Sequence, residues 1–120
     1  MITAVREQLA ADLAEVGVPV HSQWPDRVTV PCLLLVPAAD RPYVTGGQTF
    51  GEYALALDVV VLVERGSHEV ALPALEALLD AVLANTVDWG LTGIDSPTVV
   101  TVAGVDHLGT TVHLSKFARL

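Results

Sequence analysis

Hydrophobic and polar positions alternate most regularly over residues 50–64, which read FGEYALALDVVVLVE. Tyr53, Leu55, Leu57, Val59, Val61 and Val63 share one parity; Ala54, Ala56, Asp58, Val60, Leu62 and Glu64 share the other. Side chains alternate across a strand, so the first set makes a wholly apolar face and the second a mixed one. The β-branched run Val59-Val60-Val61 favours strand over helix. The pattern predicts a central strand with helices over one face and partial cover on the other. The remaining segments are expected to pair with it or to cover it.

Helical spacing occurs twice. Residues 3–16 place Val5, Leu9, Leu13 and Val16 at three- and four-residue intervals, with Arg6, Glu7 and Asp12 off that stripe. Gly17 suits the left-handed position after a helix, and Pro19 stops its continuation. Residues 72–84 place Leu75, Leu78, Leu79, Val82 and Leu83 on one stripe, with Glu76 and Asp80 on the wet side. Ala74, Ala77, Ala81 and Ala84 form a second stripe, small enough to admit another backbone such as that of the first helix. Pro73 then falls in the first helical turn, where its missing N–H costs nothing.

Shorter strands are predicted over residues 18–23, 28–36, 98–103 and 110–118. Pro31 places the second of these at an edge or a bulge, since proline cannot donate to a ladder. In the last, Val112, Leu114 and Lys116 alternate with Thr111, His113, Ser115 and Phe117. Trp24-Pro25-Asp26 and Arg65-Gly66-Ser67 read as turns, residues 88–97 as a loop and 104–109 as a turn or bulge. Residues 37–49, PAADRPYVTGGQT, have no period. A loop that long in a compact domain is either functional or a floppy surface loop. Arg41, Tyr43 and Val44 within it suit an arm that anchors on a neighbouring subunit. The order helix, strands, helix, strands predicts a single α+β domain, with a mixed or mostly antiparallel sheet and two main helices packed on one face.

Composition adds a reason to expect association. Apolar residues make up 52% of the 120 positions and charged residues only 17%, below the usual quarter. A domain this small cannot hide so much apolar surface, which favours an oligomer or an assembly component. The net charge is −8, and the six basic residues Arg6, Arg27, Arg41, Arg65, Lys116 and Arg119 are scattered. Tight nucleic-acid binding needs clustered cations, so that class is not expected. Cys32 is the only cysteine and lies in an apolar run, so no disulfide framework and no reactive thiol are expected. Arg6, Glu7 and Asp12 interrupt the first segment before any export signal forms, and Asp58, Glu76 and Asp80 break the longest apolar runs. A protein made and kept in a cytoplasm until assembly is the expectation.

Candidate chemistry is sparse. The glycine-rich segment Gly46-Gly47-Gln48-Thr49-Phe50-Gly51 precedes a strand rather than a helix and lacks the lysine of a phosphate loop. His21, His68, His107 and His113 show no close metal-ligand spacing; His107 and His113 are expected on neighbouring strands with Asp58 near them. A Ser115-His113-Asp106 triad is rejected, because its nucleophile and base would face opposite sides and no nucleophile elbow is present. No catalytic, cofactor or metal residue is therefore assigned. Asp58 is the one unusual residue, a carboxylate mid-strand among apolar neighbours. Burying it unpaired is costly, so it should meet water or a cation, the sharper expectation being Arg41 or Arg65 of a neighbouring subunit.

Taken together, several segments resemble the tail terminator (tail completion) proteins of long-tailed bacteriophages. They are the first helix ending at Gly17, the strand PCLLLVP at 31–37, and the glycine-rich arm running into QTFGEYALALDVVVLV. The helix LPALEALLDAVL, the tryptophan loop at Trp89 and the closing GTTVHLSKF complete the likeness. The resemblance implies a non-enzymatic virion subunit that forms a ring, usually of six. Such a ring caps the tail tube, ends its polymerisation and joins the tail to the head or neck, while DNA passes its lumen without specific binding. The implied partners are further copies of the chain, the tail tube protein and a neck or head–tail connector protein, with no membrane and no cofactor. Arg41, Tyr43, Val44, Phe50, Asp58 and Arg65 are the candidate subunit or tail interface. A head-completion or neck protein is the nearest alternative; a small ligand-binding or enzymatic α+β domain, or a dimeric regulator, belongs to other classes.

Overall fold

Strand β4 (Glu52–Val63) is the spine of the molecule, described by a computed structural model over residues 2–47 and 50–119. Around it in chain order lie α1 (Ile2–Ala14), β1 (Val20–His21), β2 (Cys32–Pro37), β3 (Val44–Gly46), α2 (His68–Asn85), β5 (Gly90–Ile94), β6 (Thr98–Val102) and β7 (Val105–Arg119). β2 pairs with β4 from Cys32↔Leu62 to Pro37↔Leu57, and β3 continues the same edge from Val44↔Leu55 to Gly46↔Tyr53. The other edge of β4 is matched along its full length by β7, from Glu52↔Arg119 to Val63↔Leu108. Beyond β7 lie β5 and β6, end to end. Among the described residues, only β1 and β2 run parallel. The result is a seven-stranded mixed sheet with both helices on one face, as the alternation of apolar and mixed sets predicts.

The two faces differ as the parity of β4 requires. Leu57, Val59, Val61 and Val63 join Leu33 and Leu35 of β2, Val112 and Leu114 of β7, Leu9 and Leu13 of α1, and Leu75, Leu78 and Val82 of α2 in the main core. On the opposite face Cys32, Leu34, Val60, Leu62 and Val102 form a smaller core roofed by Val28, Val30, Val36 and Val100. Trp89 is buried at the helix-side core rather than standing in an open loop. Its Nε1 donates to Asp12 of α1 at 3.2 Å, and Lys116 Nζ lies 4.7 Å from its ring centre. This one side chain ties the exit of α2 to α1 and β7.

Several predicted boundaries move, each for a local reason. β2 begins after Pro31 and is an inner strand, because β1 pairs with Leu33 and Leu34 on its other edge. α2 starts at His68, so Pro73 lies inside it rather than in its first turn. Ala74, Ala77 and Ala84 are exposed; α1 does not cover the alanine stripe. The expected loop at 88–97 contains β5, which pairs with β7 through a bulge between Leu91 and Gly93. The turn before β7 is confined to Ala103 and Gly104, both at positive φ (52° and 80°), so β7 begins at Val105 and not at Thr110. Gly17 takes φ +90°, as its place after α1 requires. Among the described residues, no helix is long and apolar enough to cross a membrane.

Candidate functional site

The polar side chains converge at one place on the mixed face of the sheet. Asp58 and His113 are direct register partners on β4 and β7. Residues 38–43 leave and rejoin the sheet at a single point: the Ala38 N–H donates to the Ala56 carbonyl and the Ala56 N–H to that of Tyr43. Arg41, at the crown of this loop, is thereby folded over the neighbouring Asp58. Its Nη1 donates to Asp58 Oδ1 at 2.9 Å and to Asp40 at 3.0 Å, and its Nη2 to the Leu114 carbonyl at 3.1 Å. His113 places Nδ1 2.8 Å from the same Asp58 oxygen and Nε2 2.9 Å from Asp95 Oδ1. Asp95 is brought there by its own N–H, which donates to the Thr111 carbonyl.

The two carboxylates favour the protonated ring, and Arg41 Nη1, 3.1 Å from Nδ1, opposes it. With a carboxylate at each ring nitrogen, a neutral His113 would turn a lone pair towards one of them whichever tautomer formed; the imidazolium donates to both. Partial burial works against that charge, but the hydrogen bonds and negative charges of Asp58 and Asp95 outweigh it and raise the His113 pKa above its ordinary value. For exposed Asp40, slight desolvation is likewise outweighed by the Arg41 hydrogen bond, and its pKa is lowered. Asp58, only 5% exposed, thus meets Arg41 and His113 on one oxygen. An acid so placed is a structural counter-ion, and a histidine held at both nitrogens has no free lone pair with which to act as a base.

The same cluster offers three atoms at metal-ligand spacing. Donor atoms of Asp40, Asp58 and His113 lie within 4.8 Å of one another. Arg41 Nη1 stands 3.0, 2.9 and 3.1 Å from them, so the guanidinium fills the position a cation would take. Ser115 and His113 have the same parity on β7 and share a face, which corrects the opposite-face argument against a triad. What removes the triad is that Asp58 and Asp95 occupy both His113 nitrogens, while Asp106 accepts from Thr101 and Arg65. His107 is on β7 itself rather than on a strand beside it; it is buried, and its Nε2 has no partner among the described residues.

The sequence matches no protein-family model and no curated protein.

The six residues expected at an interface separate into four groups. Arg41 and Asp58 do meet, but within one chain, which corrects the expected pairing across subunits. Arg65 pairs with Asp106 of its own chain at 3.2 Å, with both side chains about half exposed. Tyr43 packs against the main core, and Val44 opens β3, so the segment expected to reach a neighbour is instead folded back as a strand. The segment's last residues, Gln48 and Thr49, lie outside the described residues. Phe50 alone stands entirely clear of its chain, 105% exposed. Asp40 and Asp95 complete the cluster without having been foreseen. The signal for Asp95 was hidden by reading residues 88–97 as loop, since only the pairing of β5 with β7 brings it to His113.

Proposed function

We propose that this chain is a structural assembly subunit and not an enzyme, and that it forms the ring of a tail-terminator-like protein of a long-tailed bacteriophage. In this role the ring caps the tail tube, ends its growth and presents a surface to the neck. The observation that carries the assembly reading is the distribution of exposed apolar side chains. Phe50, Phe117, Trp24, Leu91, Val70 and Val105 are each more than half exposed, while the polar cluster around Asp58 is closed by its own hydrogen bonds. A monomer gains nothing from that exposure, and burying it against a partner is favourable. The likeness of the helix–strand–arm–helix pattern to tail terminators supplies the finer part of the reading.

The test is the mass and shape of the purified protein, alone and mixed with a candidate tail-tube protein, by light scattering and negative-stain microscopy. Rings in solution, or rings that form only on tube ends, are the expected result. Rings that bind a head-side connector and ignore tube ends would favour a neck protein. A monomer that ignores both would overturn the assembly reading.

A further inference from the structure

The two ends of the molecule present different apolar features. At one end the turn between β3 and β4 is closed by the Gly47 N–H, which donates to the Glu52 carbonyl at 2.7 Å. Phe50 projects from that turn, fully exposed, beside Gly51 at φ +80°. An aromatic side chain buries roughly 150–250 Å² when it finds a site, and here it has none. Arg119, also exposed, stands at the foot of the turn, 3.8 Å from Glu52.

At the other end, past Val63, a groove of about 480 Å³ opens between α2, Val16 behind α1, and Val30-Pro31. Ala71 and Leu78 line its depth, and Ala74 and Ala77 its side. The groove exists because the small-residue stripe of α2 is left uncovered. Glu64 lines it and is exposed. An apolar tip beside exposed Arg119 thus matches an apolar groove edged by Glu64.

A chain cannot use its own groove. The length of β4 lies between tip and groove, about 40 Å at the ~3.3 Å rise of a strand residue, in a molecule 50 Å long. A second copy can. We propose that Phe50 of one copy seats in the groove beside Ala74 and Ala77 of the next. Tip and groove are different surfaces, so the contact is heterologous and repeats head to tail. It rests on the ring reading above for its closure, and on the two surfaces for its chemistry.

The experiment uses the full chain in single-cysteine variants, F50C and A77C, with native Cys32 fully buried and unreactive. The two variants are mixed, with tube protein where assembly requires it, oxidised, and read by non-reducing electrophoresis and intact mass. The expected result is a disulfide-linked pair in the mixture, little in either variant alone, and a ladder from F50C/A77C. Separately, Phe50→Ala weakens self-association roughly thirtyfold, the size of an aromatic hot spot, with thermal unfolding of the monomer unchanged. Rings that form normally while the mixture yields no linked pair, or while Phe50→Ala leaves association intact, would overturn this contact and leave the ring reading standing. Failure of the unmodified chain to assemble, alone or on tube ends, would overturn both.

Discussion

Asp58 is a buried carboxylate in the middle of a strand, and Arg41 and His113 converge on one of its oxygens. Removing it leaves Arg41 and His113 crowded together, 3.1 Å apart, with no shared anion. Asp58→Ala is therefore expected to destabilise the fold by about 3 kcal/mol, the cost of breaking a buried ion pair, and denaturant unfolding measures it. Hydrogen exchange over residues 38–46 should quicken in the same variant, because Arg41 pins that loop. His113 adds a pH dependence whose sign is fixed. Its folded-state pKa lies above the ordinary 6.5, so its stabilisation is complete below pH 6.5 and is lost as pH rises through the raised value. Thermal midpoints across a pH series should fall on the alkaline side, and His113→Gln should flatten that fall. The need of Asp58 for a cation was legible in the sequence from the cost of burying it alone. That the cation comes from the same chain was not, because it depends on a loop leaving and rejoining the sheet at Ala56, which no local pattern encodes.

Among the elements, β4 and α1 were the most legible, since both carry unbroken periodicity. The apolar parity of β4 correctly named the helix-covered face. β5 was hidden because Leu91 and Ile94 straddle a bulge and flank Gly93, which breaks the two-residue alternation a strand is recognised by. The start of β7 was hidden because Gly109 looked like part of a turn. It lies instead where three strands crowd: a Cβ there would stand 2.7 Å from Leu62 Cδ2, 2.9 Å from the Val61 carbonyl and 3.0 Å from Val100 Cγ2. Glycine is required by space, and Gly109→Ala should cost about 1–3 kcal/mol through overpacking, read as a lowered denaturation midpoint. Pro73 presents the opposite case. It is exposed inside α2 and withholds an N–H from the helix, so Pro73→Ala should stabilise by about 1–2 kcal/mol once the looser unfolded chain is allowed for.

The whole molecule is long and narrow, 50 × 27 × 23 Å, because β4 and β7 run side by side beyond the elements that cover them. Exposed apolar residues at its ends have little to do with folding. Val70, 70% exposed at the groove, can become Glu with a stability change within about 0.5 kcal/mol; the assembled mass in light scattering should fall nonetheless. The pairing of β4 with β7 also governs time. β2 and β3 can dock on β4 early, but β7 is separated from it by a helix and two further strands. Until β7 arrives, the whole of one β4 edge presents unsatisfied amides and carbonyls next to Val59, Val60 and Val61. Pairings of such wide sequence separation fold slowly. The spine of this sheet is thus its last strand to be completed, and a nascent chain halted after α2 should be its most aggregation-prone form.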